Sequence, residues 1–150
     1  MEERDKMELT IHAAGGDACA YALFGAGCGD TKWAPQIDRL IRAGRFDAEK
    51  PQVKVLDSGE ELLLLMGRPE AEDVRHLKGL IGQAVRRARE ERADTLEINL
   101  DTYRGTIAPA ALVRMAAQAA WEGNYVFDGY RSNREAGLLH VSIQYAGAGQ

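Results

Sequence analysis

Leu62-Leu63-Leu64-Leu65-Met66 is an unbroken apolar run between Glu60-Glu61 and Gly67-Arg68-Pro69. A strand with one wet face alternates apolar and polar residues, whereas a run without alternation predicts a central strand covered on both faces. Working outward from it, Gln52 to Leu56 pairs with Glu61 to Met66 as a hairpin around Asp57-Ser58-Gly59-Glu60. On the other side, Pro69 opens a long helix that runs to about Arg92. Val74, Leu77, Leu80, Ile81, Ala84, Val85 and Ala88 form its apolar stripe. Glu70, Glu72 and Asp73 fall in its first turn and Arg86, Arg87, Arg89 and Arg92 in its last, an order that complements the helix dipole.

The remaining segments extend this alternation. Met7 to Ala13 and Ala18 to Phe24 read as strands joined by Ala14-Gly15-Gly16-Asp17, a turn suited to an antiparallel hairpin. A short helix begins near Pro35, places Ile37, Leu40 and Ile41 on one face and ends at Gly44. Thr95 to Leu100 is a strand, and Pro109 starts an alanine-rich helix that reaches Trp121. Leu138 to Tyr145 alternates Leu139, Val141, Ile143 and Tyr145 with His140, Ser142 and Gln144, a strand with one wetter face. This order predicts an α/β fold, a three-layer α/β/α sandwich around a mixed sheet.

Composition fits one soluble domain. A chain of 150 residues, 45% hydrophobic and 28% charged, buries about two-thirds of its unfolded surface. A net charge of -4 offers no attraction to nucleic acid or an anionic membrane. No apolar run approaches the roughly 20 residues of a membrane helix. The start, Met1-Glu2-Glu3-Arg4-Asp5-Lys6, is too charged for a signal peptide, so a cytoplasmic setting is expected. Cys19 and Cys28 form no Cys-x-x-Cys pair and read as inert thiols. His12, His76 and His140 are scattered over different elements.

Several constellations bear on function. Gly25-Ala26-Gly27-Cys28-Gly29 follows a strand and precedes a helix, where a phosphate loop would sit. It matches neither glycine-loop spacing, and Asp30 would repel phosphate, so a flexible surface connection is the expectation, with Gly25, Gly27 and Gly29 as weak ligand-loop candidates. The arginines of the long helix are interrupted by Glu90 and Glu91 and lack interleaved aromatics, which reads as a solvated face. Asp94, Glu97, Asp101, Glu122 and Asp128 lie on different elements, and nothing in the sequence fixes them as paired carboxylates. Tyr103, between Thr102 and Arg104-Gly105, falls in a loop. The alanine-rich helix is apolar around most of its circumference. Ala110, Val113, Ala117 and Trp121 are its candidate interface residues.

That helix runs into Asn124-Tyr125-Val126-Phe127-Asp128-Gly129-Tyr130-Arg131-Ser132. Tyr125, Phe127 and Tyr130 are spaced to anchor the helix end on a core. The stretch resembles the Tyr-x-Phe-Asp-x-aromatic-Lys/Arg-Ser signature that closes the N-terminal domain of leucyl aminopeptidases (cytosol aminopeptidases). Tyr125, Phe127, Asp128, Tyr130 and Arg131 are its structural signature here. The order of features from Val53 to Tyr145 resembles the same domain, with Leu80-Ile81-Gly82 inside the long helix. Met66-Gly67-Arg68-Pro69 departs from the usual Gly-Leu-Gly run, Gly129 departs within the signature, and Arg131 replaces the commoner Lys.

The resemblance implies a macro-domain-like architecture over residues 1–145, with 146–150 a C-terminal tail or the start of an interdomain linker. It implies a non-catalytic accessory and assembly domain. The two metal ions, zinc or manganese, are expected only in a separate C-terminal catalytic domain whose N-T-D-A-E-G-R stretch is not in these residues. The implied partners are that covalently linked domain and further copies in a homo-oligomer. The competing expectation is a stand-alone macro-like domain binding ADP-ribose or a nucleotide at the strand ends.

Overall fold

The computed structural model describes residues 9–12, 18–123 and 140–146. Its elements are β1 (Leu9–His12), β2 (Ala20–Phe24), α1 (Ala34–Arg42), β3 (Val53–Asp57), β4 (Leu62–Met66), α2 (Val74–Glu90), β5 (Thr95–Asn99), α3 (Pro109–Gly123) and β6 (His140–Gln144). They build a six-stranded sheet in the order β1-β6-β5-β2-β4-β3. Neighbours are parallel except β3, which runs antiparallel to β4. The sheet is mixed, as the sequence predicts, and helices lie on both of its faces.

β4 decides this layering. Leu64 and Met66 join one buried cluster with Leu77, Ile81 and Val85 of α2 and Met115 and Ala119 of α3. Leu63 and Leu65 point the other way, into a second cluster with Trp33, Ile37 and Phe46. β2 repeats the pattern, with Ala22 and Phe24 in the first cluster and Tyr21 and Leu23 in the second. The absence of alternation in Leu62–Met66 thus reflects a strand with a hydrophobic layer on either side. The β3–β4 hairpin forms in the expected register, from Val53 opposite Met66 to Asp57 opposite Leu62. Its turn is closed by the Ser58 N–H donating to the Glu61 carbonyl at 2.9 Å, and Gly59 takes φ +100, where a side chain would strain the backbone.

Two expectations fail. β1 does not pair with β2; it pairs in parallel with β6, Leu9 opposite Val141, and two strands separate it from β2. A glycine turn permits a hairpin without compelling one. β6 would otherwise leave a row of backbone groups unpaired, and β1 takes that edge. The long helix begins at Val74 rather than Pro69. Asp73 is extended (φ -139, ψ 165), and its carboxylate accepts the His76 N–H at 2.8 Å, which makes it the N-cap. Glu70, Glu72 and Asp73 therefore precede the first turn, and Val74 is 42% exposed instead of belonging to the stripe. Arg87 and Arg89 do lie in the last turn.

α3 packs Leu112, Met115, Ala116, Ala119, Ala120 and Gly123 inward. A side chain at Gly123 would press on Val85 and the Gly82 carbonyl, so glycine there permits close approach of α3 to α2. Among the described residues no helix is long and apolar enough to cross a membrane. The two-sided burial of β4 predicts that Leu64→Ala and Leu65→Ala, on opposite faces, each lose about 2–5 kcal/mol of stability in urea unfolding. A strand covered on one face only would make one of these substitutions nearly silent.

Candidate functional site

β2, β4 and β5 end side by side, and open parallel sheets bind ligands at such carboxyl ends. Three connections meet there. After Phe24 the chain makes a 3-10 helix, Gly25–Asp30; after Met66 it runs through Gly67-Arg68-Pro69; after Asn99 it makes a short 3-10 turn, Leu100–Thr102, and continues to Tyr103. The first and third are stitched together through Thr102, whose hydroxyl donates to the Asn99 carbonyl at 2.7 Å and accepts the Phe24 N–H at 2.9 Å. The crevice between them contains about 230 Å³ of free space, open solvent included.

The crevice is narrow because the chain fills it. Tyr103 sets its ring edge-on to Phe24, centroids 5.5 Å apart at 66°. Its hydroxyl donates to Glu72 Oε1 at 2.6 Å and accepts the Ile107 N–H at 3.2 Å. The same Glu72 oxygen accepts the Thr106 N–H at 3.3 Å, so one carboxylate ties the approach to α2 to the approach to α3. Burial, and then the bond to Glu72, push the Tyr103 phenol up to about 12. The flanking cations are engaged as well. Arg68 Nε bonds Glu49 Oε1 at 2.5 Å, and Arg104 Nη1 donates to the carbonyls of Asp101 (2.7 Å) and Tyr103 (3.0 Å).

The glycine cluster serves packing rather than ligand approach. Gly25, Gly27 and Cys28 are buried, which corrects the expectation of a flexible surface connection. A Cβ on Gly27 would collide with the Thr102 carbonyl and one on Gly25 with the Phe46 ring, while Gly29 faces open space. Phosphate loops use glycine so that a ligand can approach the backbone; here another part of the chain occupies that position. Burial pushes the Cys28 thiol up to about 12, and its Sγ donates to the Phe24 carbonyl at 3.2 Å. Cys19 is exposed. Burial raises its thiol pKa, but hydrogen bonds from the Thr95 hydroxyl and nearby backbone outweigh that and leave it below the ordinary value.

The carboxylates singled out in the sequence are dispersed. Glu97 is buried at 2% exposure within β5. Asp101 accepts from Gln144 Nε2 and the Ala146 N–H, and Glu122 pairs with Lys78. Among the described residues no three His, Cys, Asp or Glu stand together in a way that fits a metal ion. His76 Nδ1 lies 2.9 Å from Asp73, beside the cap. Of the α2 arginines, Arg86 is exposed and Arg87 pairs with Glu90 and Glu91, as on a solvated face, whereas Arg89 is half-buried.

Of the candidate interface residues, Ala110 is exposed, Val113 and Ala117 are half-buried beside the first cluster, and Trp121 is 51% exposed. Ala110 and Trp121 lie on the side of α3 away from its buried residues, and Ala117, at helical spacing between them, is half-buried beside the first cluster. Tyr125, Phe127, Asp128, Tyr130 and Arg131 lie outside the described residues. Tyr103 and Glu72 organise the strand ends and were not singled out as site residues; the one signal for Tyr103 is its place just past a strand's carboxyl end.

This fold has counterparts among known proteins. The profile of the N-terminal domain of the cytosol aminopeptidase family matches residues 25–134. The chain belongs to that family. Among solved structures, a tomato leucine aminopeptidase mutant superimposes over 100% of this chain at TM-score 0.69 and 14% identity. The match covers 34% of that protein, so the chain spans about a third of its length. The macrodomain of Thermus aquaticus DarG is similar at TM-score 0.55 and 12% identity, over 93% of this chain and 99% of that one. The bottromycin maturation enzyme BotP is similar at TM-score 0.55 and 21% identity, over 93% of this chain and 28% of its own. No curated protein matches the sequence as a relative. These superpositions show a macro-like α/β fold.

The Tyr103–Glu72 pair has a measurable signature in alkali. An unfolded tyrosine ionises near pH 10 and the folded Tyr103 near 12, so its contribution to stability is complete below pH 10 and lost as pH rises toward 12. Stability measured by urea unfolding between pH 9 and 12 is expected to fall less steeply in Tyr103→Phe than in the parent chain, within the limit of about pH 12 set by the shift. Equal slopes would show that the phenol is not held as described.

Proposed function

We propose that this chain is the non-catalytic N-terminal accessory and assembly domain of a leucyl aminopeptidase-like metallo-exopeptidase. Catalysis and the two metal ions, zinc or manganese, belong in this reading to a covalently linked C-terminal domain. The geometric observation that supports it is the filled crevice: at the described strand ends, where a macro-like sheet would receive a ligand, Tyr103 packs on Phe24 and bonds Glu72. Family membership and the third-length match to a leucine aminopeptidase support the same reading. The described carboxylates favour it too, since Asp101, Glu122 and Glu61 are each committed to other partners.

The outward stripe of α3 suits assembly. Small side chains at Ala110 and Ala117 allow a second surface to approach closely, and a half-exposed Trp121 supplies the kind of anchor that interfaces favour. In this reading the stripe meets the catalytic domain or another copy in a homo-oligomer, in the cytoplasm, with neither nucleic acid nor membrane as partner. The alternative, a stand-alone domain for ADP-ribose or a nucleotide, draws on the similarity to a macrodomain. A crevice filled by its own side chains speaks against it.

Ala110→Glu tests the assembly role, because Ala110 is exposed on the outward stripe, whereas Ala117 packs beside the first cluster. Sedimentation of the two-domain enzyme is expected to show a smaller oligomer, while thermal unfolding of this chain stays within about 0.5 kcal/mol of the parent. An unchanged oligomer together with a strongly destabilised domain would show that the stripe is core.

A further inference from the structure

The strand-end rim is also where the described chain leaves the sheet. β6 ends at Gln144, and the Ala146 N–H then donates to both oxygens of Asp101, at 3.0 and 3.1 Å. Gln144 Nε2 donates to the same carboxylate at 3.1 Å. Asp101 is itself fixed from both sides: its N–H donates to Asn99 Oδ1 at 3.0 Å, and its carbonyl accepts from Arg104. The 3-10 turn that carries it is pinned to β2 through Thr102. A charged acceptor held this rigidly makes stronger hydrogen bonds than a neutral one, and it gives a backbone N–H a fixed direction.

We propose that Asp101 is the positioning residue of the chain's departure from the sheet. Its carboxylate clamps Ala146 against the rim and fixes the backbone just past the end of β6. The second half of this inference rests on the proposed function: in a two-domain enzyme the clamp restrains the orientation of the following domain. The first half concerns this chain alone. Tyr145 packs beside the first core cluster, so the clamp acts on a backbone whose preceding side chain is already seated.

Hydrogen exchange of the Ala146 amide reads the clamp directly. In Asp101→Ala this amide is expected to exchange about tenfold to a hundredfold faster, with the Ile98 and Leu64 amides unchanged. Asp101→Asn, which keeps one acceptor oxygen, is expected to fall between the two. In the two-domain enzyme, spin labels on the two domains of Asp101→Ala are expected to give a broader interdomain distance distribution than the parent. An unchanged Ala146 amide, or acceleration shared by the whole sheet, overturns the clamp. A faster Ala146 amide with an unchanged interdomain distribution overturns its orienting role. Failure of the proposed function would appear separately, as a parent protein without aminopeptidase activity whose Ala146 amide still responds to Asp101.

Discussion

Everything in this domain depends on burying both faces of β2 and β4. Their side chains divide alternately between a cluster under α2 and α3 and a smaller one under Trp33, Ile37 and Phe46. Because neither face meets water, the strand ends are the sheet's accessible features, and connections of special geometry collect there. Gly25 and Gly27 let a 3-10 helix lie against Phe46 and the turn after β5, and Thr102 joins that turn to Phe24. Moving β4 out of register would shift its leucines between layers and separate these contacts together.

The same packing fills the strand ends of the macro-like sheet with the chain's own side chains. A ligand crevice needs side chains that stand back from the backbone, and here Tyr103 leans onto Phe24 while Glu72 receives its hydroxyl. The pair occupies the crevice and also fastens the chain entering α2 to the chain entering α3. A residue that fills the crevice and braces the fold is costly to remove.

Much of the fold was legible locally. The leucine run of β4 and the stripe of α2 follow from periodicity, and Asp57-Ser58-Gly59-Glu60 marked its own hairpin. What escaped depends on distant partners. β1 pairs with β6 because β6 has a free edge, a condition invisible in the glycine turn after β1. Tyr103 looked like a loop tyrosine because its partner Glu72 lies 31 residues earlier. The glycine cluster looked flexible because the carbonyl pressing on Gly27 belongs to Thr102. At the start of α2, Pro69 and Asp73 offered rival signals, and the side chain that caps a backbone N–H prevailed. The aminopeptidase signature, which pointed to the family, lies outside the described residues, so its anchoring role rests on sequence.

The central claim is that this domain assembles and does not catalyse. Its most direct test is turnover of leucine anilide by the purified 150-residue chain saturated with zinc or manganese, alongside the two-domain enzyme at equal molarity. The account predicts hydrolysis by the enzyme and none above buffer by the chain. Metal-dependent turnover by the chain, abolished on replacing one of its own carboxylates, would contradict it.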